Sequence, residues 1–148
     1  MTKNKLGSEI KGEEYLVLHE FAKKAKGKLP KETWDYLIGA AETETTFKRN
    51  RYALDSLAFR PRVLRDVEKV NSSSELFGHE LRIPIILAPI GSMQDFVEGA
   101  GEAPTKAAAE FGVMHMISST CMPGFEQVAK SVNYPKLFQL YVRGDPDW

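Results

Sequence analysis

The run Ile85-Ile86-Leu87-Ala88-Pro89-Ile90-Gly91-Ser92 carries an unbroken apolar segment into a turn of small residues. An apolar segment of this length, with no polar alternation, predicts a strand covered on both faces, as the strands of parallel sheets are. Downstream, an alanine-rich helix is predicted over 103–111 and ends at Gly112; a strand follows over 114–117, a helix over 125–131 and a strand over 137–142. Strand, helix, strand, helix, strand with short links is the pattern of right-handed parallel βαβ units. After the third strand comes the turn Arg143-Gly144-Asp145-Pro146, where another helix is expected, so the sequence reads as stopping inside a repeat.

Upstream the spacing changes. Tyr15, Leu16, Leu18, Phe21, Ala22 and Ala25 recur at helical intervals and predict an amphipathic helix over 13–26, with lysines on the other side. Pro30 suits the first turn of a second helix whose buried side is Thr33, Trp34, Leu37 and Ile38 and whose end is Gly39. A third helix is expected over 42–57, with the narrow apolar stripe Phe47, Leu54 and Leu57. The polar turn Asn71-Ser72-Ser73-Ser74 then leads to a short hairpin bent at Gly78. The organisation expected is one domain, with a helical segment and hairpin over 1–82 and the βα units over 83–148.

Composition narrows the function classes. Twenty basic residues balance 20 acidic ones, so no net field draws in nucleic acid or an anionic membrane. Lys3, Lys5, Lys11, Lys23, Lys24, Lys26, Lys28 and Lys31 crowd into the opening segment, which reads as a solvated helix face rather than a binding patch. The one cysteine, Cys121, cannot form an internal disulfide, and no secretory leader is legible, so a cytoplasmic protein is expected. The most apolar run, 83–90, holds two prolines and is far shorter than the roughly 20 residues of a membrane span. No Cys or His spacing resembles a metal site.

Ligands of parallel α/β folds sit at the carboxyl ends of the strands. Three such ends can be named: Ala88-Pro89-Ile90-Gly91-Ser92, Ser118-Ser119-Thr120-Cys121 and Gln139-Leu140-Tyr141-Val142. Taken singly, Pro89 and Gly91 could simply make a turn, and Ser118 and Ser119 could cap the next helix. The third end is harder to explain that way. Gln139 and Tyr141 lie two apart in a predicted strand, which would aim two polar side chains to one side, an arrangement that wants a ligand or a network.

Several motifs in order resemble the FMN-dependent α-hydroxy-acid oxidase and dehydrogenase family, which includes lactate oxidase, glycolate oxidase and mandelate dehydrogenase. They are Asp35-Tyr36-Leu37-Ile38-Gly39-Ala40-Ala41-Glu42, Asn50-Arg51, the run Phe59-Arg60-Pro61-Arg62-Val63-Leu64-Arg65-Asp66-Val67, Leu87-Ala88-Pro89-Ile90-Gly91 and Phe138-Gln139-Leu140-Tyr141-Val142. The resemblance runs from about Tyr15 to the last strand. It implies an α/β fold of (β/α)8 TIM-barrel type, incomplete here at about the first three βα units, that holds FMN and oxidises a lactate-like L-2-hydroxy acid to the 2-oxo acid.

By the same resemblance, Tyr36 would bind the substrate carboxylate and Tyr141 would stand beside the reacting carbon and hydroxyl as the catalytic residue. Pro89, Ile90 and Gly91 would line the flavin ring through their main chain, Gly91 also bordering the substrate. Ser118 and Gln139 would hydrogen-bond the polar edge of the ring. The complete enzyme would be a homo-oligomer without a nucleic-acid partner or membrane span. The family's catalytic histidine and the arginine after it belong to later segments absent from this sequence, so the chain alone is expected to be inactive. His19, His79 and His115 occupy no matching context and read as structural or solvent-facing.

Two departures stand out. Gly91 replaces a residue that is commonly alanine, which suggests a roomier pocket or altered oxygen reactivity. The segment 95–102 replaces a histidine-proline turn, and its Gly99-Ala100-Gly101 lacks the third glycine of a dinucleotide loop. The competing reading is a truncated, non-catalytic fragment that binds flavin weakly or is completed by a partner chain.

Overall fold

Pro30 and Gly39 bracket the second helix as the sequence predicts. In the computed structural model, which describes residues 15–145, α2 spans Lys31–Ile38 with Pro30 as its N-cap and Gly39 as its C-cap. Gly39 N–H closes on Asp35 O at 3.0 Å, and a Cβ on Gly39 would lie 2.7 Å from that same oxygen, which is why glycine ends the helix. The expected helix start at residue 13, the clustered Lys3, Lys5 and Lys11, and Pro146 of the last turn all lie outside the described residues.

The first helix, α1, spans Leu18–Lys28 and so begins later than the apolar spacing suggests. The Glu20 carboxylate accepts hydrogen bonds from the main-chain N–H of Leu16 at 2.6 Å and of Val17 at 3.3 Å, fixing the start there. The third, α3, spans Thr45–Asp55, shorter at both ends than expected. None of these helices buries a residue, which corrects the buried side expected for α2: Thr33 and Trp34 are half-buried, while Leu37 and Ile38 are exposed. Three short helices do not make a second layer able to close over an apolar stripe. The described residues cluster into two compact units that divide after Asn50, within α3.

In the second unit, the end of α3 and an irregular segment lead into a hairpin. Strands β1 (Ser74–Leu76) and β2 (His79–Leu81) pair antiparallel, Ser74 opposite Leu81, around Phe77 and Gly78. Both turn residues have positive φ, 50° and 75°, as a tight two-residue hairpin requires. Three parallel strands follow in the order β3 (Ile86–Leu87), β4 (Met114–Ser118), β5 (Leu137–Gln139), linked by α4 (Glu102–Phe111) and α5 (Phe125–Lys130). The alternation read from sequence is present, and among the described residues the sheet is open rather than closed into a barrel.

Burial follows that topology. The central strand β4 holds Met114 at 1% exposure and Ile117 at 2%, and the helices add Ala108 and Val128. Gly112 ends α4 in the left-handed region, φ 92°, and drops the chain straight into β4. Two expectations are corrected. The strand expected over 85–88 as fully buried pairs only at Ile86 and Leu87, and these are half-buried because β3 is an edge with one neighbour. The strand expected to reach residue 142 ends at Gln139, opposite Ser118, the last residue of β4; beyond it no ladder partner holds the chain extended.

Candidate functional site at the strand ends

Register decides which side chains meet. Ser118 on β4 is the partner of Gln139 on β5, and Met116 is the partner of Leu137, so these four share one face of the sheet. His115 and Ile117, of opposite parity, face the helices. Thr105 of α4 shows this directly: its hydroxyl lies 2.8 Å from His115 Nδ1 and donates to Gly101 O at 2.7 Å. A hydroxyl has one proton to give, so His115 must donate from Nδ1 to Thr105, which fixes the imidazole tautomer. Burial lowers the His115 pKa, favouring this neutral form. His115 is thus a structural histidine, and His19 and His79 are exposed.

Beyond the strands, the first and second strand ends are laced together. Ser92 N–H donates to Thr120 O at 3.2 Å, Met122 N–H to Gln94 Oε1 at 3.1 Å, and Gly101 N–H to Met122 O at 3.3 Å. A Cβ on Gly91 would overlap Thr120 Oγ1 and would lie 3.7 Å from Ser118 Oγ. Gly91 is therefore packed directly against the Ser118-Ser119-Thr120 segment. The third end joins through Ser119 N–H, which donates to Gln139 O at 3.1 Å.

The polar groups in this cluster are unequally satisfied. Ser118 Oγ accepts Thr120 N–H at 3.3 Å and lies 3.1 Å from Thr120 Oγ1. Gln139 Oε1 is buried and has no hydrogen-bond partner, alone in this among the buried side-chain polar atoms of the described residues. An unpaired buried carbonyl is costly, so the geometry leaves an acceptor waiting for a donor.

Gly91, Ser118 and Gln139 are therefore brought together. Pro89 is half-buried and Ile90 half-exposed beside Gly91. Tyr141 lies past the end of β5, 49% exposed, with the Arg143 guanidinium 5.7 Å from its ring centroid, so the shared strand face expected for Gln139 and Tyr141 is not imposed by a ladder. Tyr36 belongs to α2 in the first unit and is 71% exposed. Thr120, named within the second strand end but given no role of its own, and Gln94, not singled out from the sequence, are integral to the cluster. Thr120 could have been noticed as a hydroxyl two residues from Ser118, whereas the Gln94 contact spans 28 residues and has no local signal.

The cluster also encloses Cys121, 3% exposed, whose thiol donates to Met122 O at 3.4 Å. Burial pushes its pKa up, partly offset by hydrogen bonds from the main chain at Met93 and Gly101. A protonated, enclosed thiol is not a nucleophile. Among the described residues no group of acidic, histidine or cysteine side chains is placed to hold a metal ion, and no helix is long and apolar enough to cross a membrane.

Comparison with known proteins is consistent across three kinds of relative. A family profile described as FMN-dependent dehydrogenase matches residues 25–148. Glycolate oxidase 1 of Oryza sativa subsp. indica is 39% identical over 127 residues, covering 85% of this chain and 34% of the relative. The peroxisomal (S)-2-hydroxy-acid oxidase GLO4 of the same subspecies is 38% identical over 125 residues, covering 84% and 34%. Among solved structures, mandelate oxidase with (S)-2-phenylpropionate superposes with a TM-score of 0.85 at 30% identity, over 89% of this chain and 39% of that one. The chain spans about a third of the length of the curated relatives it matches.

Proposed function

The chain belongs to the FMN-dependent dehydrogenase family, and from that membership we propose that its strand-end cluster holds the isoalloxazine ring of FMN in an enzyme oxidising an L-2-hydroxy acid to the 2-oxo acid. The supporting observation is the buried, unpartnered Gln139 Oε1, which stands in register with Ser118. The pyrimidine edge of a flavin alternates carbonyl, N–H and carbonyl, so it offers the donor that this oxygen lacks and acceptors for a hydroxyl and an amide N–H. Thr120 Oγ1 fills the space a side chain at Gly91 would need, so the ring is taken to lie against the main chain of 89–91 on the side away from Thr120. The residues present fit the cofactor.

When bound, the flavin supplies the two-electron acceptor for the hydride leaving the substrate carbon. The protein's share is binding and orientation. Gln139 and Ser118 hold the polar edge, and Pro89, Ile90 and Gly91 shape the surface beneath the ring. Tyr141, outside the ladder and exposed, is free to hydrogen-bond a substrate hydroxyl, and Tyr36 is assigned to the substrate carboxylate. The base that takes the hydroxyl proton is not one of this chain's three histidines: His115 is tied to Thr105 on the helix face, and His19 and His79 are on the surface. The substrate class is small 2-hydroxy acids, lactate-like in size, and the setting is a reducing compartment such as the cytoplasm, consistent with a lone thiol.

An absorbance titration of the chain with FMN tests this. Binding is expected to shift and structure the visible flavin band, and Gln139→Leu to weaken it by about 3- to 10-fold, the worth of one hydrogen bond. No spectral change with the unaltered chain would remove the reading. The open sheet, with apolar Ile85, Leu140 and Val142 exposed, also supports a second reading in which this chain binds flavin weakly and is completed by a partner chain. Light scattering separates the two, since a flavin-binding monomer excludes self-association as the means of completion.

A further inference from the structure

We propose that Thr120 is a positioning residue that acts on both neighbours at the strand ends, fixing the main chain at Gly91 by its volume and orienting the Ser118 hydroxyl by a hydrogen bond. The observations are independent of one another. First, Thr120 Oγ1 fills the space that a Cβ at position 91 would need, and Thr120 O holds Ser92 N–H at 3.2 Å, so one residue flanks Gly91 with its side chain and its carbonyl. The φ of Gly91 is not in the left-handed region, so it is Thr120, rather than the backbone of residue 91 itself, that requires glycine there.

Second, Ser118 Oγ already accepts the Thr120 N–H, and Thr120 Oγ1 stands 3.1 Å away. If Thr120 donates, both lone pairs of Ser118 Oγ are engaged and its own proton is directed outward, toward the face it shares with Gln139. A hydroxyl aimed in this way offers a donor on the same face that carries the unpartnered acceptor of Gln139, so the two residues present a donor and an acceptor to one ligand edge. Because a threonine side chain can rotate, a methyl at residue 91 would not destroy the fold. It would push Oγ1 off Ser118, coupling residue 91 to the orientation of residue 118.

The volume claim is tested by amide hydrogen exchange at Ser92 in the full chain, without flavin. Gly91→Ala is expected to speed Ser92 exchange by about tenfold or more, a local opening made easier by the displaced side chain. Gly91→Ala with Thr120→Ala, which lacks Oγ1, is expected to return exchange to within about twofold of the original, whereas Gly91→Ala with Thr120→Ser keeps the oxygen and does not recover. Unchanged exchange in Gly91→Ala, or equal recovery with serine and alanine at 120, overturns it. The hydrogen-bond claim rests on the flavin reading above. Thr120→Val, equal in volume but without the hydroxyl, is expected to weaken FMN about 3- to 10-fold while Thr120→Ser retains it. Equal affinity for valine and threonine overturns this part. If the unaltered chain binds no FMN, it is the flavin reading that fails, and the exchange experiment still decides whether Thr120 sets the chain at Gly91.

Discussion

Ser118 and Gln139 face each other across the last rung between β4 and β5, and only one of them has its hydrogen bonds made. The difference lies in the neighbours. Ser118 has Thr120 two residues on, whose N–H and hydroxyl both reach it, while the chain after Gln139 leaves the ladder at once and supplies nothing to Oε1. A side-chain carbonyl oxygen kept buried and unpaired in a strand otherwise apolar is a liability to the free protein that a ligand removes.

That liability is measurable. Gln139→Met keeps the volume and deletes the unpaired oxygen, so the flavin-free chain is expected to gain up to about 1 kcal/mol of stability while its FMN affinity falls. Urea unfolding with and without FMN reads both changes. A loss of stability in the flavin-free protein would show that the oxygen is satisfied in solution.

The core beneath the site is expected to be unforgiving. Val128 of α5 is 0% exposed, and its Cγ2 would lie 3.2 Å from a Cβ on Gly101. Val128→Ala removes two methyl groups from a packed contact and should destabilise by about 2 kcal/mol, read as a lower urea midpoint at unchanged slope.

Acid sensitivity follows from His115. Burial lowers its pKa below 6.5 in the folded chain, so over that interval the unfolded chain binds more protons than the folded one. Its contribution to stability is therefore full above the unfolded value near 6.5 and declines as the pH falls from there toward the folded pKa. Urea midpoints from pH 7.5 to 5 should fall more steeply for the unaltered chain than for His115→Gln. Parallel profiles would mean that His115 titrates alike in both states.

Gly112 is expected to resist substitution for a different reason. Its φ of 92° lies where side chains are strained, and a Cβ there would meet Arg82 Cβ at 3.3 Å. Gly112→Ala should lower stability by about 1–2 kcal/mol without altering flavin affinity, because the change lies at the far end of β4 from Ser118.

How much of this could be read in the sequence depended on whether the signal was local. The helix stop at Gly112, the bracket of Pro30 and Gly39 and the hairpin at Phe77-Gly78 are set by a residue and its immediate neighbours, and each occurs where its letters put it. The length of β5 was misread because a strand persists only as far as its partner does, and β4 stops at Ser118. The burial of Leu37 and Ile38 was misread because helical spacing marks an apolar stripe without saying what covers it. At the site, Gly91, Ser118 and Gln139 were legible as strand-end residues. The contacts that bind them, Thr120 against Gly91 and Gln94 to Met122, depend on two loops meeting in space.

Enclosure of Cys121 between those loops gives the molecule an internal reporter. It is the sole cysteine, its Sγ would lie 2.8 Å from a Cβ on Gly101, and its raised pKa keeps it in the slow-reacting thiol form. An alkylating reagent can reach it only when the segment around 91–101 parts from 120–122. The labelling rate of this one atom therefore clocks the breathing of the site mouth, and a flavin seated there would slow that clock.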